Sequence, residues 1–375
     1  MIKVERPGAG ADTRGWGPPW MKHADGKDTG ESAYFLSVNR NKKSITLDIS
    51  KLEGQKIARE LADKCQVLIE NYKVGTLKRY GLDFETLKKT NPGLIYCSVT
   101  GFGQDGPYAP RPGYDFIFQG MGGLMSITGE RDGQPGAGPQ KVGIAITDVL
   151  TGMYASVAIL AAITHRERTG EGQYIDTALL DTMVALNANQ VVSYLCSGKV
   201  PVRWGNAHPQ VVPYEVFPTA DGHIILAVGN DSQFASFCQA AGCAELVQEP
   251  RFKTMSQRIV HRTELIPLIA DVMRTRSKQE WIALLEAANV PCGPINNMKE
   301  VFEDPQVRHR KLRVDIPHPL GGTAPVVASP MRLSATPVEY RLAPPMLGQH
   351  NGEVLGKLLG KSDDEIARLK SAGIV

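Results

Sequence analysis

The stretch VLIENYKVGTLKRYGLDFETLKKTNPGLIYCSV, residues 67–99, contains the pattern from which the fold class follows. It begins with an apolar run at Val67–Glu70, continues with a helical segment at Phe84–Lys89, and ends with a second apolar run at Leu94–Val99. Short apolar runs bounded by turn residues are typical of buried strands. A strand, a helix and a second strand in this order predict two parallel strands joined by a crossover, the repeating unit of α/β sheets.

The same alternation continues on both sides of this stretch. Ahead of it, the sequence predicts a strand over Ile2–Glu5 and an amphipathic helix over Lys51–Cys65. Further along, Tyr174–Ala178 and the run from Leu179 to Cys196 repeat the strand–helix step. We therefore predict an α/β fold with a parallel, doubly wound sheet in a large domain over residues 1–197.

The character of the chain changes after Gly198. Two strands are predicted at Glu215–Phe217 and His223–Val228 around an Asp-Gly turn, and three amphipathic helices are predicted to follow. This pattern predicts a smaller α+β domain over residues 198–305. We expect residues 306–375 to return to the large domain and to end in a helix that begins at Ser362.

Composition narrows the class of protein. The chain has 375 residues with 42% hydrophobic content, which is enough for a large core and two domains. Its 42 basic and 39 acidic side chains leave it almost neutral, so no affinity for nucleic acid or membrane is expected. Its six cysteines show no CxxC pair or metal-binding spacing. We also find no apolar run that suggests a membrane span and no secretory signal, and we expect a cytoplasmic protein.

One acid stands out in the segment GIAITDVLTGMYASVAILAAITHRERTGEGQ, residues 143–173. Asp148 lies between an apolar approach and a strongly apolar predicted helix, so we expect it to be buried. An aspartate at such a junction is typical of a helix N-cap, whose carboxylate accepts an N–H bond from the first turn. A carboxylate walled by small and apolar residues also makes a good covalent nucleophile. The pattern alone leaves both interpretations open.

Three further segments contain side chains suited to binding phosphates. Arg40, Lys42 and Lys43 precede a predicted strand, where either a solvated basic turn or a phosphate clamp fits. The segment ENYKVGTLKRYGL, residues 70–82, places polar and basic side chains directly after a strand, where ligands of open α/β sheets bind. Glycines at residues 101–106 would let a ligand approach the backbone. No dinucleotide or P-loop fingerprint is present.

Taken together, these segments resemble a known family, the class III CoA-transferases, which include formyl-CoA and carnitine CoA-transferases. The resemblance covers essentially the whole chain, and within the family it is strongest to members that act on succinate and hydroxymethylglutarate. It rests, in chain order, on IKVERPGAGADTR, NRNKKSI, ENYKVGTLKRYGL, SVTGFGQDGPY, GYDFIFQG, the Asp148 helix ending in RTGEGQ, GNAHPQVVPYEVF, VPCGPINN and LGQHNGEVL.

The resemblance implies an activity and a set of site residues. Asp148 occupies the position of the family's catalytic aspartate, which implies a nucleophile that carries the acyl group in a pocket without water. CoA or an acyl-CoA is implied as a substrate, with succinyl-CoA passing CoA to another dicarboxylic acid, and with no tightly bound cofactor and no metal. A Rossmann-like large domain and an interlocked homodimer are also implied. CoA contacts are implied at Arg6, Leu47, Asn71, Tyr72, Lys73 and Arg79.

Two departures from the family pattern leave alternatives open. The chain starts at what resembles the family's second strand, and no glycine run like the one that covers the intermediate in formyl-CoA transferase is found. One alternative is an α-methylacyl-CoA racemase, which needs a histidine where this chain has Tyr114 in Gly113-Tyr114-Asp115. Tyrosine is a poor base at neutral pH, so the transferase is favoured. A non-catalytic acyl-CoA-binding protein is the third interpretation.

Overall fold

A computed structural model describes every residue of the chain, Met1–Val375. It contains twelve β-strands and seventeen α-helices, which confirms the predicted mixed α/β composition. The strands are β1 (Ile2–Glu5), β2 (Trp20–Lys22), β3 (Asp28–Ser32), β4 (Lys43–Thr46), β5 (Val67–Glu70), β6 (Ile95–Thr100), β7 (Tyr174–Ala178), β8 (Tyr214–Thr219), β9 (Gly222–Ala227), β10 (Cys292–Pro294), β11 (Arg313–Pro317) and β12 (Thr323–Val327).

The helices vary in length from single turns to the 24-residue α7. They are α1 (Ala33–Val38), α2 (Leu52–Lys64), α3 (Thr76–Arg79), α4 (Phe84–Leu87), α5 (Asp115–Met121), α6 (Leu124–Ile127), α7 (Ile146–Thr169), α8 (Leu179–Leu186), α9 (Ala188–Ser197), α10 (Asp231–Ala241), α11 (Glu245–Gln248), α12 (Met255–Val260), α13 (Arg262–Met273), α14 (Lys278–Ala287), α15 (Met298–Glu303), α16 (Pro305–His309) and α17 (Asp363–Ser371).

The chain forms two compact units. Unit 1 contains residues 1–113, 148–182 and 300–375, and unit 2 contains residues 114–147 and 183–299. The C-terminal segment therefore belongs to the same unit as the N-terminal strands. The domain boundaries at residues 197 and 305 remain predictions.

The main sheet of unit 1 is parallel, as the strand–helix alternation predicts. Strand β6 lies between β5 and β7, and all three run in the same direction. The side chains of β6 are almost all buried, which is typical of a central parallel strand covered on both faces. The register aligns Glu70, Ser98 and Asp176 in one row across the three strands.

A second parallel pair, β1 and β4, forms its own sheet in unit 1. It packs in a core of aliphatic side chains from β4, α2 and the C-terminal residues. The single doubly wound sheet that the sequence predicts is thus present as two separate parallel sheets, since β1 and β4 hydrogen-bond only to each other. Helix α17 begins after the predicted cap, with the Ser362 side chain accepting the Glu365 N–H.

Unit 2 contains an antiparallel sheet in the order β10–β9–β8. Helices α10–α14 contribute to its core, five helices where the sequence predicts three amphipathic ones, because short turns separate them. The predicted helical run from Leu179 to Cys196 is also divided. The break falls at Asn187, whose side-chain amide donates to the Gly122 carbonyl at 2.6 Å and the Met183 carbonyl at 3.1 Å.

Helix α7 differs from its prediction, because most of its surface is exposed in the single chain. Only Thr147, Thr151, Ala155 and Ala162 are buried, and they lie on one narrow face. The helix is long and apolar enough to cross a membrane, a property that the sequence criterion did not detect. Length and composition alone do not distinguish a membrane span from a helix of a soluble protein. The large side chains exposed by at least half are Val149, Met153, Tyr154, Val157 and Leu160.

Candidate active site

The residues predicted to bind CoA follow three strands of unit 1. Arg6 comes directly after β1, Leu47 after β4, and Asn71 after β5. Because β1 and β4 are parallel neighbours, Arg6 and Leu47 lie at the same sheet edge, and the Leu47 N–H donates to the Glu5 carbonyl at 2.8 Å. The carboxyl ends of parallel strands are the usual ligand-binding edge of α/β sheets.

Arg6 and Tyr72 are close enough to influence each other electrostatically. Partial burial raises the pKa of the Tyr72 hydroxyl, and the positive charge of Arg6 opposes this rise. Both side chains are exposed, as are those of Asn71, Lys73 and Arg79. This part of unit 1 therefore presents three cations and a tyrosine to solvent, a set suited to phosphate groups and an aromatic ring.

Leu47 differs from the other predicted contacts. Its side chain is only 2% exposed and packs in the aliphatic core of unit 1. Only backbone atoms of Leu47 remain available for a coenzyme. The prediction for this residue is therefore limited to a main-chain contact.

A cavity of about 210 Å³ lies beside Tyr72 and Lys73. This volume is below the roughly 300–1,000 Å³ of typical ligand pockets, so the cavity suits one part of a coenzyme and not the whole molecule. Besides Tyr72, three aromatic rings line it, with the Tyr174 ring centroid 5.6 Å from that of Tyr96 and 5.8 Å from that of Phe84. The remaining lining residues are Glu70, Val74, Gly75, Leu77, Lys78, Asp83 and Gln104.

The polar row on the main sheet holds the loops around this cavity. The Glu70 carboxylate accepts the Tyr72 N–H at 2.7 Å and a short hydrogen bond from the Ser98 hydroxyl. Asp176 accepts the Gln104 N–H at 3.0 Å, and the Gln104 amide donates to Ser98 Oγ at 2.8 Å. Each carboxylate thus fixes the first residues of a loop that follows β5 or β6.

Burial raises the pKa of the Glu70 carboxyl, although its bonds from Ser98 and Tyr72 oppose the rise. Glu70, Ser98 and Asp176 were missed as positioning residues by the sequence analysis. The available signal was a polar residue in each of three predicted strands. Their alignment becomes visible only once the strand register is known.

The basic turn at residues 40–43 is largely occupied by protein partners. Lys43 forms an ion pair with Glu353 at 2.8 Å, and the Lys42 ammonium donates to the Val38 carbonyl at 2.8 Å. Burial, together with the nearby charges of Lys3 and Arg40, lowers the pKa of Lys42 to about 8. These contacts favour a structural role for Lys42 and Lys43 over a phosphate clamp.

Asp148 lies in the first turn of α7, two residues after the helix begins at Ile146. The N-cap interpretation is therefore wrong, because Asp148 is inside the helix. The expectation that its own chain buries this carboxylate is also wrong, since the side chain is exposed. A carboxylate in the first turn remains favoured by the positive end of the helix dipole.

Asp115 holds the backbone that leads into α7. Its carboxylate accepts the Thr147 N–H at 2.7 Å and a hydrogen bond from the Gln119 amide at 2.6 Å. Thr147 is the residue directly before Asp148 in the sequence. Tyr114, where the racemase alternative needs a base, is 68% exposed. Asp115 is thus a positioning residue, which the sequence analysis noted only as part of that alternative.

The family model described as CoA-transferase family III matches residues 1–351. The chain belongs to CoA-transferase family III. The enzyme class that the sequence segments suggested is therefore confirmed, with CoA thioesters as substrates. No group of three or more His, Cys, Asp or Glu side chains is arranged to hold a metal ion.

Several relatives cover almost the full length of the enzyme. It is 48% identical to the succinate–glutarate CoA-transferase of Agrobacterium fabrum, covering 96% of this chain and 88% of the relative. It is 43% identical to the human succinyl-CoA:glutarate CoA-transferase, covering all of this chain and 83% of the relative. Among solved structures, a CAIB/BAIF family protein from Brucella suis is 44% identical, with a TM-score of 0.81, and the match covers 95% of this chain and 91% of that one.

Proposed function

We propose that this enzyme transfers CoA from succinyl-CoA to a second dicarboxylic acid, with glutarate as the first acceptor to test. The names of the two relatives above support this choice of substrates. The observation that carries the proposal is the grouping of Arg6, Tyr72 and the Lys73–Arg79 segment at the carboxyl ends of parallel strands. This grouping suits the phosphates of CoA, and a family III enzyme requires such a coenzyme site.

Arg6, Asn71, Tyr72, Lys73 and Arg79 bind CoA through side chains in this proposal, and Leu47 through its backbone. Arg79 is exposed and forms no ion pair with a carboxylate, so its guanidinium is available to a phosphate. The aromatic cavity beside Tyr72 accepts one ring-sized part of the coenzyme. Aromatic walls bind such a ring by stacking.

Asp148 carries the acyl group in the proposed mechanism. Its carboxylate attacks the succinyl-CoA carbonyl, forming a mixed anhydride and expelling the CoA thiolate. The thiolate attacks the Asp148 carbonyl of this anhydride, giving an aspartyl-CoA thioester and releasing succinate. The acceptor carboxylate attacks this thioester, forming a second anhydride and expelling the CoA thiolate again. The thiolate then attacks the acceptor carbonyl, producing the new CoA ester and restoring the Asp148 carboxylate.

These intermediates require that water be excluded, because an anhydride hydrolyses readily. In the single chain Asp148 is exposed. We propose that a second copy of the chain covers the exposed face of α7 and that the enzyme is an interlocked homodimer. A contiguous apolar surface of this kind marks an association site. The same proposal includes a Rossmann-like large domain, domain boundaries at residues 197 and 305, and a cytoplasmic location without membrane attachment.

The proposed function is tested by incubating the purified enzyme with succinyl-CoA and a panel of dicarboxylic acids. We expect new CoA esters, separated by chromatography, and we expect Asp148→Asn to abolish their formation while leaving the melting temperature nearly unchanged. Amide replaces carboxylate with almost the same shape, so a loss of transfer would reflect chemistry. Transfer at the wild-type rate by Asp148→Asn would exclude it as the nucleophile. Exchange of solvent deuterium into an acyl-CoA without transfer would favour the racemase instead.

A further inference from the structure

A buried ion pair that the mechanism above does not use closes the loop that carries Arg6. This Arg6 loop follows β1 and reads RPGAGADTR, residues 6–14. Glu5 lies immediately before it, and Arg14 is its last residue. The side chains of Glu5 and Arg14 are only 1% and 10% exposed. The pair therefore joins the two ends of the Arg6 loop inside unit 1.

The Arg14 guanidinium is held through all three of its nitrogens. Its Nε and Nη2 donate to the two different carboxylate oxygens of Glu5, each at 2.9 Å. Its Nη1 donates to Glu31 at 3.2 Å, and Nη2 also donates to the Pro345 carbonyl at 3.0 Å. The guanidinium carbon lies 3.8 Å from the centroid of the Phe35 ring. A two-bond pair of this kind fixes the orientation of both side chains, which a lysine ammonium cannot do.

Glu5 connects this ion pair to two of the proposed coenzyme contacts. Its Oε1 also accepts the Ala11 N–H at 3.1 Å, and its Oε2 accepts the Ser44 hydroxyl at 2.6 Å. Its backbone carbonyl accepts the Leu47 N–H at 2.8 Å. Arg6 is joined to Glu5 by the peptide bond and Leu47 by this hydrogen bond. The position of Glu5 therefore determines where both contacts lie.

The backbone of the Arg6 loop packs directly on the Arg14 side chain. Gly10 donates its N–H to the Arg6 carbonyl at 2.9 Å and has a φ of 68°. A Cβ added at Gly10 would lie 2.7 Å from Arg14 Cδ, so only glycine leaves room for that side chain. Gly8 has a similar φ of 76°, but no atom lies within 4 Å of a Cβ added there. The close contact with Arg14 is therefore particular to Gly10.

The Arg6 side chain has no comparable restraint of its own. It is exposed and forms no ion pair with a carboxylate of the chain. The direction in which it leaves the protein is set by its backbone, and that backbone is held by Glu5 and Arg14. A loop that already has its bound conformation loses less entropy when a ligand binds, which strengthens the affinity. A buried ion pair is weak evidence for stability, so a positioning role accounts better for Arg14.

We propose that Arg14 is a positioning residue of the CoA site and that it acts through Arg6. Through its pair with Glu5, it holds the Arg6 loop in the conformation that presents the Arg6 guanidinium to a phosphate of CoA. This inference rests on the proposed function, in which the Arg6 side chain binds CoA. Free CoA and its esters share these phosphates, so Arg14 strengthens the binding of each of them.

A double-mutant cycle on CoA affinity tests this role. CoA is titrated calorimetrically into the wild type, Arg14→Lys, Arg6→Ala and the double variant. Lysine keeps the charge that Glu5 needs but cannot bond both of its oxygens in one plane. We expect Arg14→Lys to weaken binding about tenfold, and Arg6→Ala about tenfold to hundredfold through the loss of one charge-assisted contact. The double variant should bind no more weakly than Arg6→Ala, because coupled residues do not add.

Two sets of variants control for damage to the fold. Arg258→Lys alters a buried arginine of unit 2 that pairs with Asp231 at 2.8 Å, and it should leave CoA affinity unchanged even where the melting temperature falls. Should Arg14→Lys fail to fold, Gly10→Ala and Gly8→Ala replace it. Both alanines strain a left-handed backbone, but only the one at Gly10 displaces Arg14. We expect the larger loss of CoA affinity from Gly10→Ala.

Steady-state kinetics give a readout that general damage would not reproduce. Arg14→Lys should raise the KM for succinyl-CoA by the same factor as the dissociation constant of CoA, with kcat within about twofold of the wild type. Unchanged CoA affinity in Arg14→Lys would overturn the inference, as would fully additive losses in the double variant. If the cycle gives the expected result but no CoA ester forms with glutarate, the proposed substrates fail and the positioning role stands. If esters form and Arg14→Lys matches the wild type, only the positioning role fails.

Discussion

Substitution of Val157 by aspartate tests whether a second copy of the chain covers α7. Val157 and Leu160 are 66% and 63% exposed in the single chain. Complete burial of such a side chain contributes about 1.5–3 kcal/mol, so covering the exposed part of Val157 contributes about 1–2 kcal/mol. A symmetric dimer contains the position twice, which gives about 2–4 kcal/mol from apolar contact alone.

The aspartate adds a second and larger effect. Removing a carboxylate from water costs several kcal/mol per ion when no partner is supplied. The combined loss for Val157→Asp therefore exceeds about 4 kcal/mol, which corresponds to a dissociation constant at least about a thousandfold higher. Sedimentation velocity over a range of concentrations measures this constant directly. We expect a wild-type dimer and a largely monomeric variant.

Leu52→Asp is the matched control for this experiment. Leu52 is 82% exposed but lies at the start of α2, away from the α7 surface in sequence and in secondary structure. It should leave the dimer unchanged. Two results would refute the reasoning: a wild-type monomer, or a Val157→Asp dimer as tight as the wild type. Recovery of the wild-type protein with lipid vesicles, and not in the aqueous phase, would assign α7 to a membrane instead.

Two further predictions concern unit 1. Arg79→Ala should weaken CoA binding about tenfold to hundredfold without unfolding the enzyme, because it removes one charge-assisted phosphate contact. Calorimetry measures this affinity, and Arg313→Ala is the control, since Arg313 pairs with Asp315. Unchanged CoA affinity in Arg79→Ala would exclude Arg79 from the site. Glu5→Gln should cost about 3 kcal/mol in urea unfolding, because the buried Glu5 carboxylate pairs with Arg14 at 2.9 Å and accepts the Ser44 hydroxyl at 2.6 Å. Burial raises the pKa of Glu5, but these bonds bring it below its usual value of 4.5, so its contribution is present above about pH 4.5 and is lost as the pH falls through the lower folded-state pKa. A variant as stable as the wild type at neutral pH, or with the same loss of stability in acid, would contradict this assignment.

Local patterns in the sequence were sufficient for the parallel strands. β1, β5 and β7 lie where the alternation of strand-like and helix-like segments predicts them, and Asn71 and Arg6 directly follow strand ends. These features depend on alternation along the chain, which a single sequence contains.

Features that depend on distant partners were not predictable. The sequence shows that α7 is apolar, but apolarity does not reveal whether the same chain, a second copy or lipid covers the helix. The alignment of Ser98 with its neighbours needs the strand register. The guanidinium groups of Arg131 and Arg262 both lie near the Trp204 ring, although these residues are far apart in the sequence and meet only in the folded unit.

The central claim is that Asp148 carries the acyl group, and mass spectrometry of the enzyme during turnover tests it most directly. The enzyme is mixed with succinyl-CoA, quenched in acid and digested, and the peptide containing Asp148 is fragmented. The account predicts that this carboxylate carries CoA as a thioester, and that the adduct disappears when glutarate is added. Rapid transfer of CoA with Asp148 unmodified, or the adduct on a different residue, would contradict the account.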